Sequence, residues 1–187
     1  GGYTKGFELI KRTFRFIFGR KSFPIGNSLK RDKVMSNTLV ARLWLMIAMI
    51  DLLYLYVLKI RFKSLMGNVV LCDRYLGDTF IDFSINFPRV NFEKMWLWRL
   101  LLLAHPKPDL GFVFVLPVQK SMIRSKLKNE PFPDSKETLE NRLNAYTESE
   151  FFNDDICIKI NGSESIDITY RKIKNKTFSF LSMTNAS

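Results

Sequence analysis

Asp73 and Arg74 close the short apolar run Val69-Val70-Leu71-Cys72. An aspartate in such a position can orient a magnesium ion through water, and an adjacent arginine can grip an acceptor phosphate through a forked, charge-assisted contact. The plainer alternative for this pair is a surface ion pair or a loop cap, both common and weak. Further along, Arg124, Lys126 and Lys128 follow a second apolar run, Phe112 to Leu116, and lead through Pro131-Phe132-Pro133-Asp134 to Arg142. Phosphoryl transfer needs positive charge around the migrating group, and a basic flap closing over it supplies that charge while excluding water. Read blandly, the same residues form a solvated basic face. Asp51 stands inside the apolar stretch Leu43 to Leu58. A buried carboxylate there binds a sugar hydroxyl, serves as a base, or is a hydrogen-bonded core residue.

Regular elements have to hold these residues in place. Val69 to Cys72 and Phe112 to Leu116 read as parallel strands covered on both faces, and Ile156 to Ile160 is a third strand candidate. Ahead of the first strand the spacing predicts a long helix over Thr38 to Met66, capped by Asn37 or Thr38 and closed by Gly67. Further helices are expected over Phe92 to Leu103, Val118 to Lys128 and Ser135 to Phe151, with a last one from Ser165. This alternation implies an α/β fold of three layers, a mostly parallel sheet with helices on both faces. Ligands of such folds bind beyond the C-terminal ends of the strands, where Asp73 and Arg74 fall. Ahead of this core, Phe7, Ile10, Phe14, Ile17 and Phe18 recur at helical spacing, and 19–37 is a basic loop with Pro24 and Gly26. One domain is expected over 1–187, with 1–37 as helix and loop, 38–187 as core, and a lid over 124–137.

Composition narrows the chemistry. The 187 residues are 47% hydrophobic, enough to bury a core without metals or disulfides. Lysine and arginine number 29 against 18 acidic residues, and the net charge of +11 favours phosphate-bearing partners. Cys72 and Cys157 each lie in an apolar run and are expected to be buried thiols of a reducing compartment. His105 is the sole histidine, which excludes a histidine-based metal site or triad. Leu43 to Leu58 is shorter than the roughly 20 residues that cross a bilayer. A core helix of a soluble, cytoplasmic domain is expected instead.

The ordered set Val70-Leu71-Cys72-Asp73-Arg74-Tyr75, Pro108-Asp109-Leu110, Arg124, and the helix with Arg142 and Tyr146 resembles the thymidylate kinases, a P-loop NTPase family. The match spans 67–160, and its specificity lies in the combination. The resemblance implies an ATP- and magnesium-dependent transfer of the γ-phosphoryl group to a nucleoside monophosphate or related small molecule. It gives Asp73 to magnesium and positioning, Arg74 to the acceptor phosphate, and Arg124 with Lys126 or Lys128 to a lid over ATP. Arg142 is a further lid candidate, and Tyr75, Asp78 and Asp51 are candidates beside the acceptor.

The departures matter as well. Gly77-Asp78-Thr79-Phe80-Ile81-Asp82 stands where the family usually places its base-reading residues, and Asp51 lies where it usually brings an arginine, so the acceptor is unassigned. No Gly-x-x-x-x-Gly-Lys-Ser/Thr loop occurs, and Gly19-Arg20-Lys21-Ser22 lacks the required spacing. The chain therefore reads as the larger, C-terminal part of such a kinase, its first strand and phosphate loop expected before Gly1. By itself it is expected not to turn over ATP. The alternative is a non-catalytic kinase-like domain that binds nucleic acid or an anionic membrane surface. The sequence leaves a homodimer and a peripheral membrane contact open, and nucleic acid is the less favoured partner.

Overall fold

Asn37 starts the first helix by accepting hydrogen bonds from the backbone N–H groups of Leu39 and Val40, at 3.0 and 3.4 Å. The computed structural model describes residues 37–130, 133–152 and 156–184. The amphipathic pattern at Phe7 to Phe18 and nearly all of the basic loop at 19–37 lie outside the described residues. Two compact units emerge, Gly1–Lys107 and Pro108–Ser187, where composition predicts one domain.

In the first unit, α1 (Thr38–Leu52) continues without a break into a π-helical segment, Leu53–Ile60, and then α2 (Arg61–Leu65). Gly67 ends the run at φ +75, a left-handed conformation that strains any residue with a Cβ. Its N–H donates to the Ser64 carbonyl at 2.9 Å and the Asn68 N–H to that of Lys63 at 3.2 Å, satisfying the helix end in a Schellman arrangement. The predicted boundaries, Asn37 and Gly67, are where the helix starts and stops.

Next come α3 (Leu76–Asn86), a 3₁₀ turn (Phe92–Lys94) and α4 (Trp96–Ala104). Leu45 and Met49 of α1 and Trp98 and Leu101 of α4 are fully buried. Around Trp98, Phe92 packs edge-on at 5.1 Å between ring centroids, and Phe83 packs edge-on against Phe92 at 5.5 Å. Arg61 Nη2 donates to the Ala104 carbonyl at 2.8 Å, which places a cation at the C-terminus of α4.

The second unit pairs β1 (Gly111–Val115) with β2 (Cys157–Asn161) in parallel, Gly111 opposite Cys157 and Val115 opposite Asn161. Three helices complete it: α5 (Val118–Leu127), α6 (Lys136–Glu148) and α7 (Ile166–Thr184). The parallel pairing of the second and third expected strands is as predicted.

The larger three-layer sheet is not seen among the described residues, which are mostly helical with one two-stranded parallel sheet. The first expected strand accounts for the difference. Val69 to Cys72 forms no ladder, and Val69 and Leu71 are 85% and 93% exposed. A strand exists only where a neighbour accepts and donates its backbone hydrogen bonds, and no described segment pairs with this one. Cys72 is exposed and Cys157 half-buried, so the expectation of two buried thiols is corrected.

Candidate functional site

The turn that carries Asp73 and Arg74 is set by backbone geometry. Arg74 adopts φ +69, a left-handed conformation costing an L-residue about 1–2 kcal/mol. Such positions gather at binding sites, where the surroundings hold the strain in place. The turn delivers the chain into α3, whose Asp78 carboxylate accepts from the Tyr75 N–H at 3.0 Å. Arg74 Nη1 meets Asp82 Oδ2 at 3.5 Å, nearly two turns along α3, in a solvent-exposed ion pair.

Beside this turn lies a cavity of about 460 Å³, within the range of small-molecule sites. One wall comes from the long helix (Asp51, Tyr56, Lys59 and Lys63), another from Cys72, Asp73 and Arg74, and a third from Asp78, Thr79 and Asp82 of α3. Asp51 is 7% exposed, the one buried charged residue among those described. Asp51, Asp73, Arg74, Asp78 and Asp82, scattered over 31 positions of sequence, are thus brought to one cavity. Lys59, Lys63 and Thr79 join them without having been singled out in the sequence. Positions 51, 55, 59 and 63 step by four along one helix, and the π-helical segment Leu53–Ile60 keeps that row toward the cavity where 3.6 residues per turn would wind it away.

Tyr75 stands apart from the cavity lining. Its hydroxyl donates to the Pro106 carbonyl at 2.7 Å, and its ring packs on Tyr56 at 4.5 Å and on His105 at 5.9 Å. This tyrosine fastens the turn to the end of α4, where the sequence leads to the expectation of a residue beside an acceptor. Burial pushes the Tyr75 phenol well above its ordinary value, with the nearby Cys72 and Tyr56 acting in the same direction. Burial also raises the Tyr56 phenol, and a hydrogen bond with Thr79 offsets part of that rise. Cys72 is exposed as a residue, yet its thiol is partly withdrawn from water, and that desolvation raises it, which keeps it protonated and a poor nucleophile at neutral pH.

A pH dependence follows from the two phenols. The unfolded chain releases both protons near pH 10. The native chain retains them at that pH, so the unfolded state then binds fewer protons and stability falls as pH rises. The contribution is fully present below about pH 10 and is lost as pH passes through the raised native values. Thermal unfolding between pH 8 and 11 should show this decline, shallower in Tyr75→Phe. An equal slope in the variant would show that Tyr75 is not involved.

The lid residues belong to the second unit. Arg124 Nη2 donates to the Gly162 carbonyl at 2.9 Å, and the Gly162 N–H donates to Val115 at 2.8 Å. Arg124 is thereby held at the C-terminal ends of both parallel strands, where ligands of parallel sheets bind. Glycine permits the close approach at 162, since a Cβ would come within 3.2 Å of the Val115 carbonyl oxygen. Arg142 Nε is paired with Asp134 Oδ2 at 3.1 Å, half-buried at the start of α6. The ammonium groups of Lys126 and Lys128 form no ion pair among the described residues. Arg124 and the two lysines are exposed; Arg142 is a structural pair.

The fit to the implied cofactors divides. No cluster of three or more metal-ligating side chains occurs among the described residues, so magnesium would have Asp73 alone, with water and phosphate oxygens as its other ligands. For ATP the fit fails within this chain, because no loop of the phosphate-cradling spacing is present in its sequence. No ATP step is therefore assigned to these residues by themselves.

A second surface adjoins the cavity. A groove of about 750 Å³ runs between the exposed apolar side of the long helix, including Tyr54, Leu58 and Phe62, and Val69 to Leu71. Lys59 and Lys63 border both hollows. The helix from Thr38 to Leu65, 28 residues, is long and apolar enough to cross a membrane by length and composition. Comparison with known proteins returns no matching family model, curated protein or solved structure.

Proposed function

We propose that this chain is the acceptor-binding and lid portion of an ATP-dependent phosphotransferase of the thymidylate-kinase type. The observation that carries the reading is the cavity at Asp73 and Arg74, where a strained arginine, an aspartate and further polar groups from three segments meet in a small-molecule-sized hollow. Arg74 would release Asp82 and take the acceptor phosphate, exchanging a weak exposed pair for a doubly charged oxyanion. Asp73 would help place magnesium. In the second unit, Arg124 at the strand ends and the exposed Lys126 and Lys128 form a basic surface of their own, of the charge that phosphate groups favour.

The unpaired run Val69 to Cys72 supports the same reading. Four apolar residues followed by Asp-Arg have the composition of an interior strand, and Val69, Leu71 and Cys72 stand exposed as such a strand would without its neighbour. On this proposal the neighbour is the strand leading into a phosphate-binding loop, in polypeptide preceding Gly1. A P-loop-type three-layer fold would be completed by that strand.

A second reading is favoured by the exposed apolar face of the 28-residue helix and the +11 charge: a non-catalytic domain on an anionic membrane surface. Titration with nucleoside monophosphates and with anionic vesicles over a salt series separates the two. The phosphotransferase reading gives saturable binding with preference among phosphorylated ligands. Binding to vesicles alone, falling steeply with salt, would replace it with the second.

A further inference from the structure

We infer that the first unit docks on an anionic lipid bilayer through one face of its long helix, which lies in the headgroup layer and does not span it. The inference goes beyond the phosphotransferase reading and does not depend on it; from the membrane-surface reading it takes only the partner. Ile50, Tyr54, Leu58, Phe62 and Met66 follow one another at steps of four, and each is more than half exposed. Leu39 and Leu43, also more than half exposed, carry apolar surface toward the start of the helix. With 3.6 residues per turn a row at steps of four winds around its helix. The π-helical segment Leu53–Ile60 widens the turn, so the row stays on one side. Tyr54, Leu58, Phe62 and Met66 also line the 750 Å³ groove with Val69 to Leu71, which makes the apolar surface contiguous. A contiguous exposed patch of this kind marks an interaction site.

Charge decides the occupant. Between Thr38 and Cys72 stand Arg42, Lys59, Arg61 and Lys63 and a single acid, Asp51, which is buried. Lys59 and Lys63 each follow a residue of the apolar row, border the groove, and form no ion pair among the described residues. A second copy brought face to face would set these cations against their own counterparts, a repulsive arrangement. An anionic headgroup layer supplies the opposite charge. The apolar row then enters the acyl boundary while the lysine stems reach back to the phosphates. The other face of the helix sets the depth. Leu45, Ala48 and Met49 are fully buried in the core, and a spanning helix would carry Asp51 to about the middle of the bilayer. Docking in the plane of the surface keeps both in place.

Cosedimentation of the 187-residue chain with vesicles tests this, using phosphatidylcholine alone and phosphatidylcholine with about one third phosphatidylserine. The mixed vesicles should bind the chain more tightly by about tenfold or more. Leu58→Ser/Phe62→Ser should weaken that binding by about tenfold or more through lost apolar burial. Lys59→Gln/Lys63→Gln should do the same through the loss of two charges at the surface, again by about tenfold or more. Leu127→Ser, at an exposed leucine of the second unit, should leave binding unchanged. All the substituted side chains are exposed, and circular dichroism matching the parent shows that the fold is kept. Alkaline carbonate should release the bound chain, and retention after that wash would mean a spanning helix and overturn the inference. Full binding by either double variant, or an equal loss in Leu127→Ser, overturns it and leaves the membrane-surface reading standing with its contact elsewhere on the chain. Binding to neither vesicle overturns both. If the chain is then a dimer in solution that Leu58→Ser/Phe62→Ser dissociates, the face belongs to a second copy.

Discussion

Trp98→Ala is expected to destabilise the first unit by about 3–5 kcal/mol, the usual cost of removing a buried tryptophan or phenylalanine side chain. Trp98 is 1% exposed and packs among the rings of Phe80, Phe83 and Phe92, so its loss opens a void walled by aromatic side chains. A typical domain is held by about 5–15 kcal/mol, so the variant forfeits roughly a fifth of that or more. The consequence reaches the candidate site. Phe83 lines the cavity and belongs to α3, the helix that also carries Asp78 and Asp82. Thermal unfolding followed by circular dichroism should show a large drop in midpoint, with Trp98→Phe falling between the variant and the parent. A midpoint lowered by less than about 2 °C would mean that the aromatic cluster is not the centre of this unit.

Arg74→Ala is expected to lower phosphoryl transfer by about 10²–10³-fold, the range found when one donor to a developing oxyanion is removed. Arg74→Lys should recover only part of this, because a point charge cannot reproduce the planar fork on a phosphate. Backbone strain supplies an internal control. At φ +69 glycine is relaxed where alanine is strained, so Arg74→Gly should be more stable than Arg74→Ala by about 1 kcal/mol. Both variants lack the guanidinium and should be equally inactive. Activity that tracked stability across the pair would make Arg74 a structural residue; equal loss in both makes it a binding one. The assay is kcat/KM for transfer to the preferred acceptor, set beside urea unfolding of the same variants.

Local chemistry made much of the fold legible. Asn37 and Gly67 bounded the long helix because a capping side chain and a left-handed glycine act within a few residues of themselves. The runs at Phe112 and Ile156 were readable as strands because each is a short apolar run of strand length, and they do pair in parallel. Val69 to Cys72 carried the same signal and forms no ladder, because pairing is a property of two segments and only one is present among the described residues. Cys72 became exposed for the same reason.

The site was legible in its residue types and less so in its walls. Asp73 and Arg74 announced themselves by following an apolar run, and Asp51 by interrupting one. Lys59 and Lys63 were passed over because a lysine on a helix is ordinarily solvated, and the π-helical widening that lines them up with Asp51 leaves no mark in composition. Tyr75 was placed with the acceptor through the resemblance, while its hydroxyl is engaged by Pro106, a contact 31 residues away that no local pattern encodes.

The central claim is most directly tested by transfer of labelled γ-phosphate from ATP to a panel of sugar phosphates and nucleoside monophosphates. The assay is run on the full-length gene product alongside the 187-residue chain. The account predicts magnesium-dependent phosphorylation of at least one phosphorylated acceptor, absent in Arg74→Ala and absent from the 187-residue chain by itself. Transfer by the 187-residue chain, or a complete polypeptide with a phosphate-binding loop that phosphorylates none of these acceptors, would contradict it.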